Sequence, residues 1–203
     1  MSPLDLFSEN PGILFDDASG RVEFHAACVA PARAREWFDV LQSEIQWRSE
    51  RRLMYAREVD VPRLVASHAL DDAQLPAVLT AASAVVRELT GVAFSHVGLN
   101  LYRDGRDSVA PHNDHLDELA LDQPIALLSL GATRRMTIRR KQSPPRVLQL
   151  DLHAGSLLLM SYATQLHYTH AIPKVDYPVG ARISLAFRVR RVPAAPIARG
   201  HYR

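Results

Sequence analysis

From residue 93 onward, eight short apolar stretches are punctuated by turn residues; two helix-patterned stretches precede them, and no helical pattern alternates with the strands. These observations predict an α+β, mostly β fold: a double-stranded β-helix (jelly-roll) core with N-terminal helices packed outside. At 203 residues the chain reads as a single domain, 1–203, with a helical and lid region over about 20–92. The core then spans about 93–190, and the Pro-rich tail 191–203 leaves it.

The spacing predicts a first helix over 31–43, with Pro31 in its first turn and Trp37, Phe38 and Leu41 on its apolar side. A second helix is predicted over 71–89, capped by Asp71 or Asp72 and ended by "TG" at 90–91. Between them, 47–70 reads as irregular and basic. Strands follow over 94–102, 107–112, 125–130, 134–140, 146–151, 156–161, 166–172 and 181–189. Breaks at "DG" 104–105, "SPP" 143–145 and "AG" 154–155 supply the turns.

Composition narrows the chemistry. An apolar fraction of 47% and a net charge of +2 belong to an ordinary globular chain. The single cysteine, Cys28, rules out an internal disulfide and a thiolate-rich metal site. "MSPLDLFSEN" has no basic-then-apolar leader, and no run approaches the roughly 20 apolar residues of a membrane span. An intracellular, cytoplasmic, non-secreted protein without a membrane partner is expected, with monomer as the default state. Of 24 basic residues only Lys141 and Lys174 are lysines. GC-rich coding favours arginine, and so does phosphate contact. "RSERR" at 48–52 and "RRMTIRRK" at 134–141 are the clusters, the second alternating like a strand with an exposed basic end.

His112 and Asp114 are separated by one residue, so an extended backbone turns both to one face. A histidine nitrogen and a carboxylate oxygen presented together are two of the three ligands of a non-haem Fe(II) site with open positions. The third must be a distant histidine. "QLHYTHAIP" at 165–173 offers His170 and, as runner-up, His167, while His115 is an alternative to His112. In "ARISLAFR", alternation places Arg182, Ser184, Ala186 and Arg188 on one face. Two arginines on a protected strand call for anions, and a dicarboxylate such as 2-oxoglutarate supplies two. Asn100 and Tyr102, alternate residues of one strand, add an amide and a phenol.

Together, "VPRLVAS" 61–67, "LNLYRDG" 99–105, "APHNDH" 110–115, "PIALLSLGATR" 124–134, "HAGSLLLM" 153–160, "HYTHAIP" 167–173 and "RISLAFR" 182–188 resemble the AlkB-like dioxygenases in order and spacing. The resemblance covers roughly residues 50–190 and implies Fe(II) on His112, Asp114 and His170, with O2 and 2-oxoglutarate as cosubstrates. It implies Arg182 and Tyr102 on the far carboxylate, Ser184 beside them, and Asn100 with Arg188 at the 1-carboxylate. The implied reaction oxidises N-methyl groups of bases, of the 1-methyladenine and 3-methylcytosine type, in DNA or RNA. Formaldehyde, succinate and CO2 leave.

The base-handling positions depart from the family pattern. Leu116 stands where an acidic residue commonly reads the exocyclic amine, flanked by His115 and Asp117. His68 occupies the place of a stacking aromatic, and Met54 with Tyr55 the place of the apolar wedge. Arg134 and Arg135 are expected to meet phosphate. Two other readings stand beside this one: the same iron chemistry on a protein, lipid or small molecule, and a non-catalytic nucleic-acid-binding module.

Overall fold

The structure, a computed structural model, describes residues 12–54 and 57–191, with side chains throughout except over 51–60. A hairpin comes first, β1 (Gly12–Asp17) and β2 (Gly20–His25). Helix α1 (Pro31–Glu44) follows, then a second hairpin of β3 (Arg48–Met54) and β4 (Arg57–Ala69). Helix α2 spans Ala77–Thr90. The remaining strands are β5 (His96–Tyr102), β6 (Val109–His112), β7 (Ile125–Gly131), β8 (Arg134–Arg140), β9 (Val147–Leu152) and β10 (Leu157–Met160). One helical turn and a half, α3 (Tyr162–His167), leads into β11 (Tyr168–Ile172), and β12 (Arg182–Arg188) completes the core.

All pairings are antiparallel and form two sheets, ordered β1-β2-β10-β7-β12-β5-β4-β3 and β6-β11-β8-β9. The central strands of the larger sheet are buried on both faces. On one, Leu99, Leu101, Leu128, Ile183, Leu185 and Phe187 pack against Trp37 and Leu41 of α1 and Leu79 and Val86 of α2. On the other, Tyr102, Ile125, Leu127, Leu158 and Ala186 meet Met136, Ile138, Leu152, Tyr168 and Ile172 of the smaller sheet. Period-two alternation along β5 and β12 assigns successive residues to these two cores. Each fully buried Leu, Ile or Phe contributes roughly 1.5–3 kcal/mol, which is why both faces of the central strands are committed.

The predicted jelly-roll is therefore present, with two corrections. Residues 47–70, read as irregular, form the β3–β4 hairpin, and β1 to β4 extend the larger sheet well before residue 93. The charged "RSERR" masks β3 because that strand is the outer edge of its sheet, where charge deters further pairing. Helix α2 begins at Ala77 behind Pro76, with no side-chain cap. Asp72 instead accepts from the Gln74 amide at 2.9 Å, closing a turn ahead of the helix. Its other end is as expected: Gly91 takes φ 71°, and its amide donates to the Arg87 carbonyl. No helix among the described residues is long and apolar enough to cross a membrane.

Candidate active site

Register brings the distant histidine home. In the pairing of β6 with β11, His170 stands directly opposite His112, with ring centroids 4.4 Å apart. Asp114 follows two residues after His112, and one donor atom from each of His112, Asp114 and His170 lies within 4.8 Å of the others. His167 ends α3 and His115 is exposed; neither belongs to the cluster.

The donor atoms are prepared for a cation. His112 Nδ1 lies 2.9 Å from the Ala110 carbonyl, so it carries the proton and leaves the Nε2 lone pair free. Burial, followed by the neighbouring His112, pushes the His170 pKa down to about 3. Burial also lowers His112. Both rings are thus neutral at pH 7. Burial alone would raise the Asp114 pKa, but Arg188, whose Nε donates to Oδ2 at 2.7 Å, outweighs it and holds the carboxylate below its usual range. Two imidazoles and one carboxylate, buried and clustered, suit Fe(II) with positions left open. The residues fit the metal.

Gln165 completes this support, and nothing in the sequence singled it out. It is 1% exposed, and its Oε1 accepts the Asp114 backbone N–H at 3.1 Å. Gln165→Leu leaves that buried N–H unpaired and frees Asp114 to shift. The expected result is a loss of about 10–100-fold in Mn(II) affinity by calorimetry. Affinity equal to wild type would show that Gln165 does not position the carboxylate.

A second group of polar side chains lies along the same inner face. In β12, Arg182 stands opposite Tyr102 of β5 and Gly131 of β7, and Ser184 opposite Asn100 of β5 and Ser129 of β7. Arg182 is 1% exposed; its Nη2 donates to Ser129 Oγ at 2.9 Å, while Nε and Nη1 have no partner. Its Cζ sits 5.3 Å from the Tyr102 ring centre. Burial, and then Arg134, pull its pKa down to about 10, so it remains charged at pH 7. Burial likewise raises Tyr102 and keeps its phenol protonated. A buried cation with two unsatisfied donors beside a phenol fits the far carboxylate of a dicarboxylate.

The other assigned residues divide. Arg188, assigned to a cosubstrate carboxylate, is engaged with Asp114. Gly98 gives it room, since a Cβ there would sit 3.1 Å from Nη1. Asn100 Oδ1 accepts from Arg63 Nε at 2.7 Å. Sequence reasoning missed Arg63, whose strand lay in the segment read as irregular. Leu116 packs against the inter-sheet core, with His115 and Asp117 exposed on either side.

Two expectations are corrected, for His68 and Arg134. His68 stands opposite Val97 and shares its face with Leu64 and Ala66, which pack on the helix side, away from Asn100. Arg134 is 2% exposed and donates to the carbonyls of Asp104, Asp107 and Pro173, out of reach of phosphate. Arg135 is exposed but held by both oxygens of Asp151. Met54 ends β3 opposite Arg57, with its side chain outside the described part, and Tyr55 lies outside the described residues.

The profile of the 2OG-Fe(II) oxygenase superfamily matches residues 22–188. The chain is similar to "DNA oxidative demethylase ALKBH2" of Homo sapiens, 39% identical over 110 residues covering 51% of this chain and 42% of that protein. It is also similar to "Alpha-ketoglutarate-dependent dioxygenase alkB homolog 3" of Homo sapiens, 36% identical over 111 residues, 51% of this chain and 39% of that one. The match thus spans less than half the length of either relative. The solved structure "The structure of OsALKBH1" overlays with a TM-score of 0.60 at 12% identity, covering 82% of this chain and 97% of that one. That likeness concerns the fold.

Proposed function

The chain belongs to the 2OG-Fe(II) oxygenase superfamily, and from that premise we propose that it oxidatively dealkylates N-alkylated bases of DNA or RNA, of the 1-methyladenine and 3-methylcytosine type. The observation that carries the substrate class is the similarity to a protein described as a DNA oxidative demethylase. The family's chemistry uses Fe(II), O2 and 2-oxoglutarate. When bound, the metal supplies oxidation of an N-methyl group, whose product departs as formaldehyde while the cosubstrate becomes succinate and CO2.

The chain's own residues supply position and charge. His112, Asp114 and His170 would hold the metal, with Arg188 fixing one Asp114 oxygen and Gln165 its backbone. Arg182 and the Tyr102 phenol would take the far carboxylate, and Ser129 keeps the guanidinium in place. Asn100, held by Arg63, and Ser184 would line the path between the two ends. Asp114 and His170 are each 7% exposed, so a base has to leave its stack to bring a methyl group to this centre. Arg188 keeps Asp114 ionised while this happens, so the carboxylate remains a ligand and not a proton donor.

The test gives purified protein Fe(II), ascorbate, 2-oxoglutarate and oligonucleotides carrying either lesion, single- and double-stranded. Succinate and base methylation are followed together, and methyl loss in step with succinate is the expected result. Succinate formed without methyl loss on any oligonucleotide would overturn the substrate class and point to a protein, lipid or small molecule. Tight oligonucleotide binding with no turnover would instead favour a binding module.

A further inference from the structure

Arg134 is the one member of the basic stretch 134–141 that the surface does not use. It projects from the smaller sheet on the same face as Met136 and Ile138, into the space between the sheets. Its Cζ lies 5.7 Å from the centre of the Tyr102 ring, the ring that Arg182 also approaches. Two guanidiniums, 2% and 1% exposed, therefore approach one buried ring from opposite sheets. Each depresses its own pKa by burial, and Arg134 further depresses that of Arg182, as like charges do at short range.

The side-chain carboxylates of the two aspartates whose carbonyls Arg134 holds are already taken. Asp107 accepts from the amide, Nε and Nη2 of Arg103, and Asp104 from the amide, Nε and Nη2 of Arg106. Arg134 receives only neutral carbonyls, those of Asp104, Asp107 and Pro173, and its Nε has no partner. Its hydrogen bonds are largely satisfied, while Asp104 and Asp107 reach its charge only at longer range. Among the described residues, neither Arg134 nor Arg182 has a carboxylate in ion-pair contact.

We propose that Arg134 is a second specificity-determining cation of the cosubstrate site, selecting a 2-oxo acid with an ionised far end over one without. This rests on the 2-oxoglutarate reading above. Arg182 supplies the direct contact; Arg134 supplies charge from the facing sheet and keeps the Tyr102 phenol and the surrounding loops in place. At an effective dielectric of about 20, a unit charge several ångströms from an anion changes its affinity by roughly ten- to a hundredfold.

The test compares, without oxygen, the binding of 2-oxoglutarate and 2-oxobutyrate to Mn(II)-loaded protein by calorimetry. Both share the chelating end; only the first carries the far carboxylate. The readout is the ratio of the two dissociation constants. Arg134→Met is expected to cut the preference for 2-oxoglutarate about tenfold or more, with 2-oxobutyrate affinity within about threefold of wild type. Arg134→Lys, which keeps the charge and loses the fork to the three carbonyls, is expected to retain the preference.

If Arg134 only ties loops together, both variants weaken both ligands alike, and that outcome overturns the proposal. Should Arg134→Met fail to fold, Arg134→Gln keeps donors for the carbonyls without the charge and takes its place. Should that fail too, the lysine variant decides: a preference lost in it overturns the proposal. A wild-type protein that does not prefer 2-oxoglutarate would instead overturn the reading of the site itself, whatever the variants do.

Discussion

Arg182→Met is expected to weaken 2-oxoglutarate binding by at least about thirtyfold while leaving the cosubstrate-free protein no less stable than wild type. The two effects have one cause. In the free protein Arg182 is a buried cation with Nε and Nη1 unpartnered and Nη2 on the neutral Ser129 hydroxyl. Truncating one member of a buried, hydrogen-bonded charge pair costs about 2–5 kcal/mol of binding. Replacing a buried charge by an apolar side chain of similar volume is often neutral or stabilising, by about 1–4 kcal/mol. Calorimetry with Mn(II) present reads the first effect, and thermal melting of the metal-free protein the second. An unchanged dissociation constant would remove Arg182 from the site. A fall in melting temperature of several degrees would show that its role is structural.

His170→Ala is expected to abolish measurable Mn(II) binding, and His167→Ala to leave it within about threefold of wild type. The contrast follows from register, because only His170 faces His112 across β6 and β11. Losing one supporting contact around a metal typically costs about 10–100-fold in affinity, and losing one of three ligands costs more. Calorimetric titration of the two variants decides the matter, since the reverse pattern would exchange the two histidines.

Much of this was legible beforehand, for physical reasons. Strands β5 to β12 alternate or run apolar between turn residues, so their order and near bounds could be read directly. His112 and Asp114 were readable because an x-separated pair needs only an extended backbone. His170 needed the register, which only the fold supplies. The misses around Arg134 and His68 have a common origin, namely which face of a strand turns inward. Parity held the answer in both cases. Arg134 shares a face with Met136 and Ile138, and His68 with Leu64 and Ala66. A cluster of arginines read by composition looks like a phosphate surface; read by parity, it divides into one buried member and exposed ones. Arg63 and Gln165 carried no such signal, the first because its strand follows a heavily charged edge, the second because a lone glutamine in a short helix has no pattern.

The ion pair of Arg188 with Asp114 also bears on denticity. Because the guanidinium holds Oδ2, the carboxylate would meet a cation through its other oxygen, as a one-atom ligand. With one nitrogen from each histidine, the protein would then offer an ion three ligand atoms. Three protein ligands of this kind would leave positions open for cosubstrates. Substituting Arg188 would therefore release Oδ2 and remove the charge that holds the carboxylate ionised, so Asp114 depends on one ion pair for both its charge and its denticity.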